Sequence, residues 1–285
     1  MIKFLKEVFK HFLKSNTFQK GASLGYYAVF SLLPIIIIIT SFLGLFFGEQ
    51  AVSGEIYAEL KGVLGNDASL QIQDFIKNQH INHNSVFTSI IGFVILVFST
   101  SGMFSQIHKS FNNIWGIKTK PKHTILRYLY KHLVSFLVLT GLFLIMFVST
   151  TINGFLIKHS DSLHSDNRYW FLYEHLFSFV IMSLIFAIMF TFLGDAKVHW
   201  KVSLIGGLLT SILFFLGKIG IGIYIAHSHV SSTFGSASVL ALLMLWVYYT
   251  SQIIFLGASF VKIISNRLGY EILPNKYAVK IEDGN

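Results

Sequence analysis

The chain has 285 residues, 53% of them hydrophobic and only 12% charged, with a mean hydropathy of +0.64. That charged share is about half of a soluble domain's, which excludes a soluble enzyme built on a large core and points to a polytopic membrane protein. The formal net charge is +9 and cysteine is absent, so disulfides, thiol nucleophiles and thiolate metal sites are excluded, and the placement of the positive charge has to be read first.

Residues Met1 to Lys14 lack the long apolar run and small-residue cleavage site of a signal peptide. Ile2, Leu5, Phe9 and Phe12 recur at helical spacing, with Lys3, Lys6, Lys10 and Lys14 on another face. The pattern predicts a helix lying in the membrane interface; a plain basic flank that sets topology fits the same residues. The first span is expected at about 22–47. Tyr27, Ser31 and Pro34 lie near one of its faces, together with Ser23 and Ser41. Pro34 removes a backbone donor, so a kink is expected near Phe30 and Ser31. Gly21 with Gly25, and Gly44 with Gly48, are spaced for close helix approach.

Glu49 to Asn84 is the longest polar stretch. Ile56, Leu60, Val63 and Leu64, then Leu70, Ile72, Phe75 and Ile76, predict two short amphipathic helices there. The second span is expected at about 86–106, and Ser99, Gly102, Gln106, Lys109 and Asn113 continue one polar face beyond it. A basic loop from Lys109 to Lys131 follows, with six positive charges and no acid. Further spans are expected at about 132–152, 171–193, 202–226 and 236–261, then a mixed-charge tail, 262–285, with no domain of its own. The fold expected is all-α, a single membrane domain of six transmembrane helices. Three prolines in the whole chain agree with long helices.

Charge sets the orientation. Segments on the amino-terminal side of the expected membrane hold 17 Lys and Arg against 5 acids, those on the other side 4 against 8. Basic loops stay on the cytoplasmic side, so both termini are expected in the cytoplasm, a parity that six spans satisfy.

The fifth span breaks the apolar rule. Lys218 sits inside it, beside Gly217, Gly220 and Gly222. A charge there is costly and faces the bundle interior, a wet cavity or the interface. At about 1.5 Å per residue, Tyr27, Ser31, Ser99, Ser101, Tyr248 and Gln252 fall in the cytoplasmic half of their spans, and Lys218 in the outer half. Two readings stand side by side. One is an inward-facing polar cavity with a positive charge nearer its outer end. The other is a set of hydrogen bonds that glue helices, with Lys218 snorkelling outward.

No metal site is assigned: His227 with His229, and His80 with His83, have no acidic or thiolate ligand beside them. The chain has no metalloprotease helix, nucleophile elbow or phosphate loop, so no cofactor or energy-coupling nucleotide is expected.

At the motif level the chain becomes recognisable. Gly21-Ala-Ser-Leu-Gly-Tyr-Tyr-Ala-Val-Phe-Ser-Leu-Leu-Pro34 resembles the first-helix motif of the YihY/BrkB family of bacterial inner-membrane proteins. Ser99 to Met103, followed by Phe111-Asn-Asn-Ile-Trp-Gly116 with Asn113 and Trp115, is similar to the family's second-helix signature. Ser232 to Ala237, which contains Gly235, and Leu243 to Ala258 resemble its last loop and helix. The chain departs from the pattern at Phe234, where the family has Tyr, and at Ser259, where it has an acid. The resemblance implies a six-helix inner-membrane protein, for whose relatives a part in envelope-lipid handling or transport has been suggested. An old ribonuclease label implied by the same family finds no supporting chemistry in these residues.

The expected function is a transporter or lipid-translocating protein whose cavity is lined by Tyr27, Ser31, Ser99, Ser101, Lys218, Tyr248 and Gln252. Lys218 would draw in an anionic lipid headgroup or a small anionic substrate. The alternative is a membrane scaffold or envelope-assembly factor in which the same residues only pack helices. An intramembrane enzyme is weakest, since no nucleophile and base can be paired, and nucleic acid is not an expected partner.

Overall fold

The structure, a computed structural model, describes residues 2–31, 66–79, 102–120, 167–227, 238–276 and 278–281, with isolated positions at 54, 57, 58 and 61. The described chain is mostly helical. In order come α1 (Ile2–Lys14), α2 (helical over 17–31), α3 (Asn66–Gln79), α4 (102–114), β1 (Ile117–Thr119), α5 (Asn167–Phe192), β2 (Ala196–Lys197), α6 (Trp200–His227), α7 (Ser238–Arg267), β3 (Leu273–Pro274) and β4 (Ala278–Lys280). Two stretches, Trp200–Tyr224 of α6 and Leu240–Arg267 of α7, are long and apolar enough to cross a membrane, and α5 adds the shorter apolar stretch Leu176–Phe192. These correspond to the fourth, fifth and sixth expected spans. The third expected span, the first span beyond residue 31, the second before residue 102, most of the amphipathic helix expected over Ile56 to Leu64 and the kink at Pro34 lie outside the described residues.

Three helix ends have a local cause. Asn16 (φ 52°) adopts the left-handed conformation just after α1, a role that short polar residues share with glycine. Gly116 (φ 70°) and Gly269 (φ 75°) do the same after α4 and α7, where a Cβ would be strained. After Gly269, the Tyr270 N–H reaches back to the Ser265 carbonyl at 3.0 Å, the long return bond of a Schellman end.

These turns send the chain back as strands. β1 pairs antiparallel with β4, Ile117 opposite Lys280, and β2 pairs antiparallel with β3, Ala196 opposite Pro274. The tail, read from the sequence as having no domain of its own, is folded onto the loops that follow α4 and α5. The expected all-α architecture gains two small ladders at those loops.

By packing, the chain divides into two compact units. One comprises Met1–Asn16, Ile107–Leu213 and Ile253–Asn285, the other Thr17–Gln106 and Phe214–Gln252. The first has an aromatic core: Phe111, Phe190 and Phe255 are fully buried, and the Phe111 ring lies 5.1 Å from Trp115, 5.8 Å from Phe190 and 6.5 Å from Phe255. Between membrane helices such rings gain from packing rather than from leaving water, about 0.5–1.5 kcal/mol per pair. In the second unit, small residues set the contacts. Gly21 lies against the side chains of Ser251 and Gln252, Gly25 against the Met244 backbone, and Gly102 against the Tyr27 ring. Phe214 and Trp246 meet edge to face at 6.1 Å.

Candidate functional site

The first unit carries a buried polar cluster where α4 ends and α5 turns into α6. Asp195 follows Gly194 in that turn, and only 6% of it is exposed. Its backbone N–H donates to Asn112 Oδ1 at 2.8 Å, and Asn112 Nδ2 donates back to Asp195 Oδ2 at 2.9 Å. Thr119 Oγ1 donates to the same carboxylate oxygen at 2.9 Å, and the Asn275 N–H donates to the Asp195 carbonyl at 2.8 Å. The His108 ring sits 3.4 Å from Oδ2 without the alignment of a hydrogen bond. A carboxylate removed from water needs partners of this kind. One acid thus ties together α4, β1, the α5–α6 turn and the tail.

Trp115 closes the cluster from below. Its indole N–H donates to the Ala258 carbonyl at 3.3 Å, and its own carbonyl accepts from Lys262 Nζ at 3.1 Å. Gly194 leaves room for the Trp115 ring, which a Cβ would overlap. The N-terminal helix docks on the same unit. His11 Nε2 donates to the Ile114 carbonyl at 2.8 Å, and Phe4 meets Phe260 edge to face at 5.4 Å. Burial holds the His11 pKa below its ordinary 6.5, against a smaller upward pull from that hydrogen bond.

The described residues singled out for a cavity, Tyr27, Ser31, Lys218, Tyr248 and Gln252, all belong to the second unit. Most of them sit in helix contacts. Ser31 is buried with its hydroxyl on the Ala28 carbonyl at 3.2 Å, and Gln252 Nε2 donates to the Thr17 carbonyl at 3.3 Å. Tyr27 and Tyr248 are half-buried. Gly217 packs against the Tyr249 hydroxyl, while Gly220 and Gly222 have no atom within 4 Å of the space beside them. Pro34, Ser99, Ser101 and Gly235 lie outside the described residues.

Lys218 differs from the rest. Ile205, Leu208, Ile212, Leu216, Ile219 and Ile223 form an exposed apolar stripe along α6, all within an arc of about 80°. Gly206, Gly207, Thr210, Ser211, Gly217 and Ile221 form the buried face opposite. Lys218 is exposed, yet it lies roughly 120° from the centre of the stripe and only about 60° from the centre of the buried face. Beyond Lys218, Gly220, Gly222 and Tyr224 are exposed as well, Gly222 on the side of the apolar stripe, while Ile221 stays buried.

Sequence reading missed the Asp195 cluster, although two signals were present. Asp195 is the only acid between Glu174 and Glu271. Helical spacing also separates the two asparagines: Phe104, Ile107, Phe111 and Trp115 share a face that Asn112 flanks and Asn113 opposes. Asn112 is buried and Asn113 exposed. Trp115, chosen as a motif residue, is at the centre. Ser259, where the resemblance expects an acid, is fully buried with a hydroxyl that has no hydrogen-bond partner among the described atoms.

A family model described as virulence factor BrkB matches residues 8–282. The chain is 27% identical to a UPF0761 membrane protein of Saccharophagus degradans over 276 residues, 96% of this chain and 62% of that protein. It is 25% identical to one from Psychrobacter sp. over 89% of this chain and 47% of the relative. With one from Pseudoalteromonas atlantica the identity is 22%, over 92% of this chain and 85% of the relative. The chain thus spans between about half and two thirds of the length of the first two. No solved structure matches.

Proposed function

The chain belongs to the virulence factor BrkB family of membrane proteins, and from that membership we propose that it holds and moves an anionic lipid, or a small anionic solute, in a polar cavity of its second unit. The observation that carries this reading is Lys218. It is exposed on the inner face of α6, away from the apolar stripe, in a segment long and apolar enough to cross a membrane. A lysine on the stripe would touch acyl chains; one turned well away from it can meet water or an anionic headgroup. Apolar walls around it tolerate a hydrocarbon tail.

In this proposal the chain crosses the inner membrane six times with both termini in the cytoplasm, as the charge distribution favours. The residues named take no catalytic role. Specificity comes from the one positive charge.

A second reading has its own observation. Gln252, Ser251 and Tyr27 fill the spaces that Gly21 and Gly102 leave, which is what helix glue looks like. Those residues support a scaffold as well as a transporter. Lys218 is what separates the two.

The chain has no cysteine, so Lys218→Cys offers a single thiol. A charged, membrane-impermeant thiol reagent should label it in reconstituted protein, as a water-filled cavity requires. Labelling only by membrane-soluble reagents would place the residue in lipid and remove the cavity.

A further inference from the structure

The N-terminal helix has three faces, and only one of them is used by the bundle. Val8 and Phe12 are buried, and Phe4 and His11 half-buried, against the ends of α4 and α7. Glu7 is the only acid of α1, and it is ion-paired with Arg267 at 2.6 Å. A second face carries Ile2, Leu5, Phe9 and Leu13, all exposed, with Ile2 71% and Phe9 54% accessible. At 3.6 residues per turn these four fall within an arc of about 80°. The third face carries Lys3, Lys6, Lys10 and Lys14, all exposed, and it runs along the far edge of the apolar stripe.

We propose that this exposed stripe binds the surface of an anionic lipid leaflet, with the four lysines on phosphate headgroups and Ile2, Leu5, Phe9 and Leu13 among the upper acyl chains. The proposal is independent of any cavity at Lys218. Charge complementarity names the occupant. A row of four lysines beside an apolar stripe, with the one acid of the helix engaged elsewhere, suits a negative surface and opposes a basic partner. Geometry agrees. The inward face docks at Ile114, Phe260 and Arg267; Phe260 and Arg267 belong to the last two turns of the membrane-length stretch Leu240–Arg267. That is the level at which a leaflet surface meets the bundle. A second copy of the chain would have to bring the same four lysines against this row, or cover an apolar stripe that runs beside it.

Depth measurements on the full-length protein in nanodiscs test this. A spin label on Phe9→Cys is compared in discs rich in phosphatidylglycerol and in discs of phosphatidylcholine alone. The proposal expects the label to be open to oxygen and shielded from a nickel chelate in the anionic discs, with nickel accessibility about fivefold higher in the neutral ones. Replacing Lys3, Lys6, Lys10 and Lys14 by Gln should remove the difference while the protein stays folded. Three results overturn it: nickel accessibility equal and high in both discs, equal immersion of the helix in both discs, or dipolar broadening between labels, which would put a second copy on the stripe.

Discussion

Asn112 grips Asp195 twice, taking its backbone N–H at 2.8 Å and giving its own amide to the carboxylate at 2.9 Å. Both residues are nearly buried, so neither end of the pair can fall back on water. Removing the amide strands a carboxylate and a backbone donor together. Asn112→Ala should therefore lower stability by about 2–4 kcal/mol, read as a drop in unfolding temperature of detergent-purified protein. Asn113→Ala, on the exposed face, should change it by much less.

Glycine contacts give a second contrast. A Cβ on Gly207 would press on the backbone of Ser183 and Ala187, whereas one on Gly220 would meet nothing within 4 Å. Backbone cannot swing aside as a side-chain tip can. Gly207→Ala should cost about 1–3 kcal/mol, and Gly220→Ala should be neutral or slightly stabilising, since alanine is the better helix former by about 1 kcal/mol. Thermal unfolding of the two variants in the same detergent decides it.

His11 predicts a pH dependence. Its pKa in the fold is held below 6.5 by burial, so as pH falls the unfolded chain takes up the proton first. The stability tied to neutral His11 is complete above 6.5 and is lost as pH drops through the folded value. His11→Gln should unfold with a shallower dependence as pH falls below about 6.5. Parallel curves for the two proteins would leave His11 without this role.

Much of the helical pattern was legible in the sequence. Apolar length announced α6 and α7, and the lysine row with Ile2, Leu5 and Phe9 announced α1. The Gly21 and Gly25 spacing marked a true contact with α7. What stayed hidden depended on long-range pairing. Nothing near Leu273 or Ala278 signals a strand, because their partners, Lys197 and Thr119, are distant in the chain. Asp195 was likewise hidden, since its meaning comes from Asn112 and Thr119. Lys218 was conspicuous as a residue, but its exposure on the inner face needed the burial pattern of the whole helix.

The topology carries its own test. With no native cysteine, single cysteines at Asn66 and Lys120 should be labelled by an impermeant reagent from opposite sides of the membrane. Labelling of both from the periplasm would contradict a cytoplasmic basic loop.

Lipid binding by Lys218→Met tests the central claim most directly. Methionine keeps much of the lysine's bulk while removing its charge. Purified wild-type and variant protein are equilibrated with equal mixtures of anionic and neutral phospholipid, and the retained lipid is read by native mass spectrometry. The account predicts normal abundance of folded variant and about a fivefold fall in its preference for anionic lipid, with Lys218→Arg restoring it. Unchanged lipid preference in a well-folded Lys218→Met protein would contradict it.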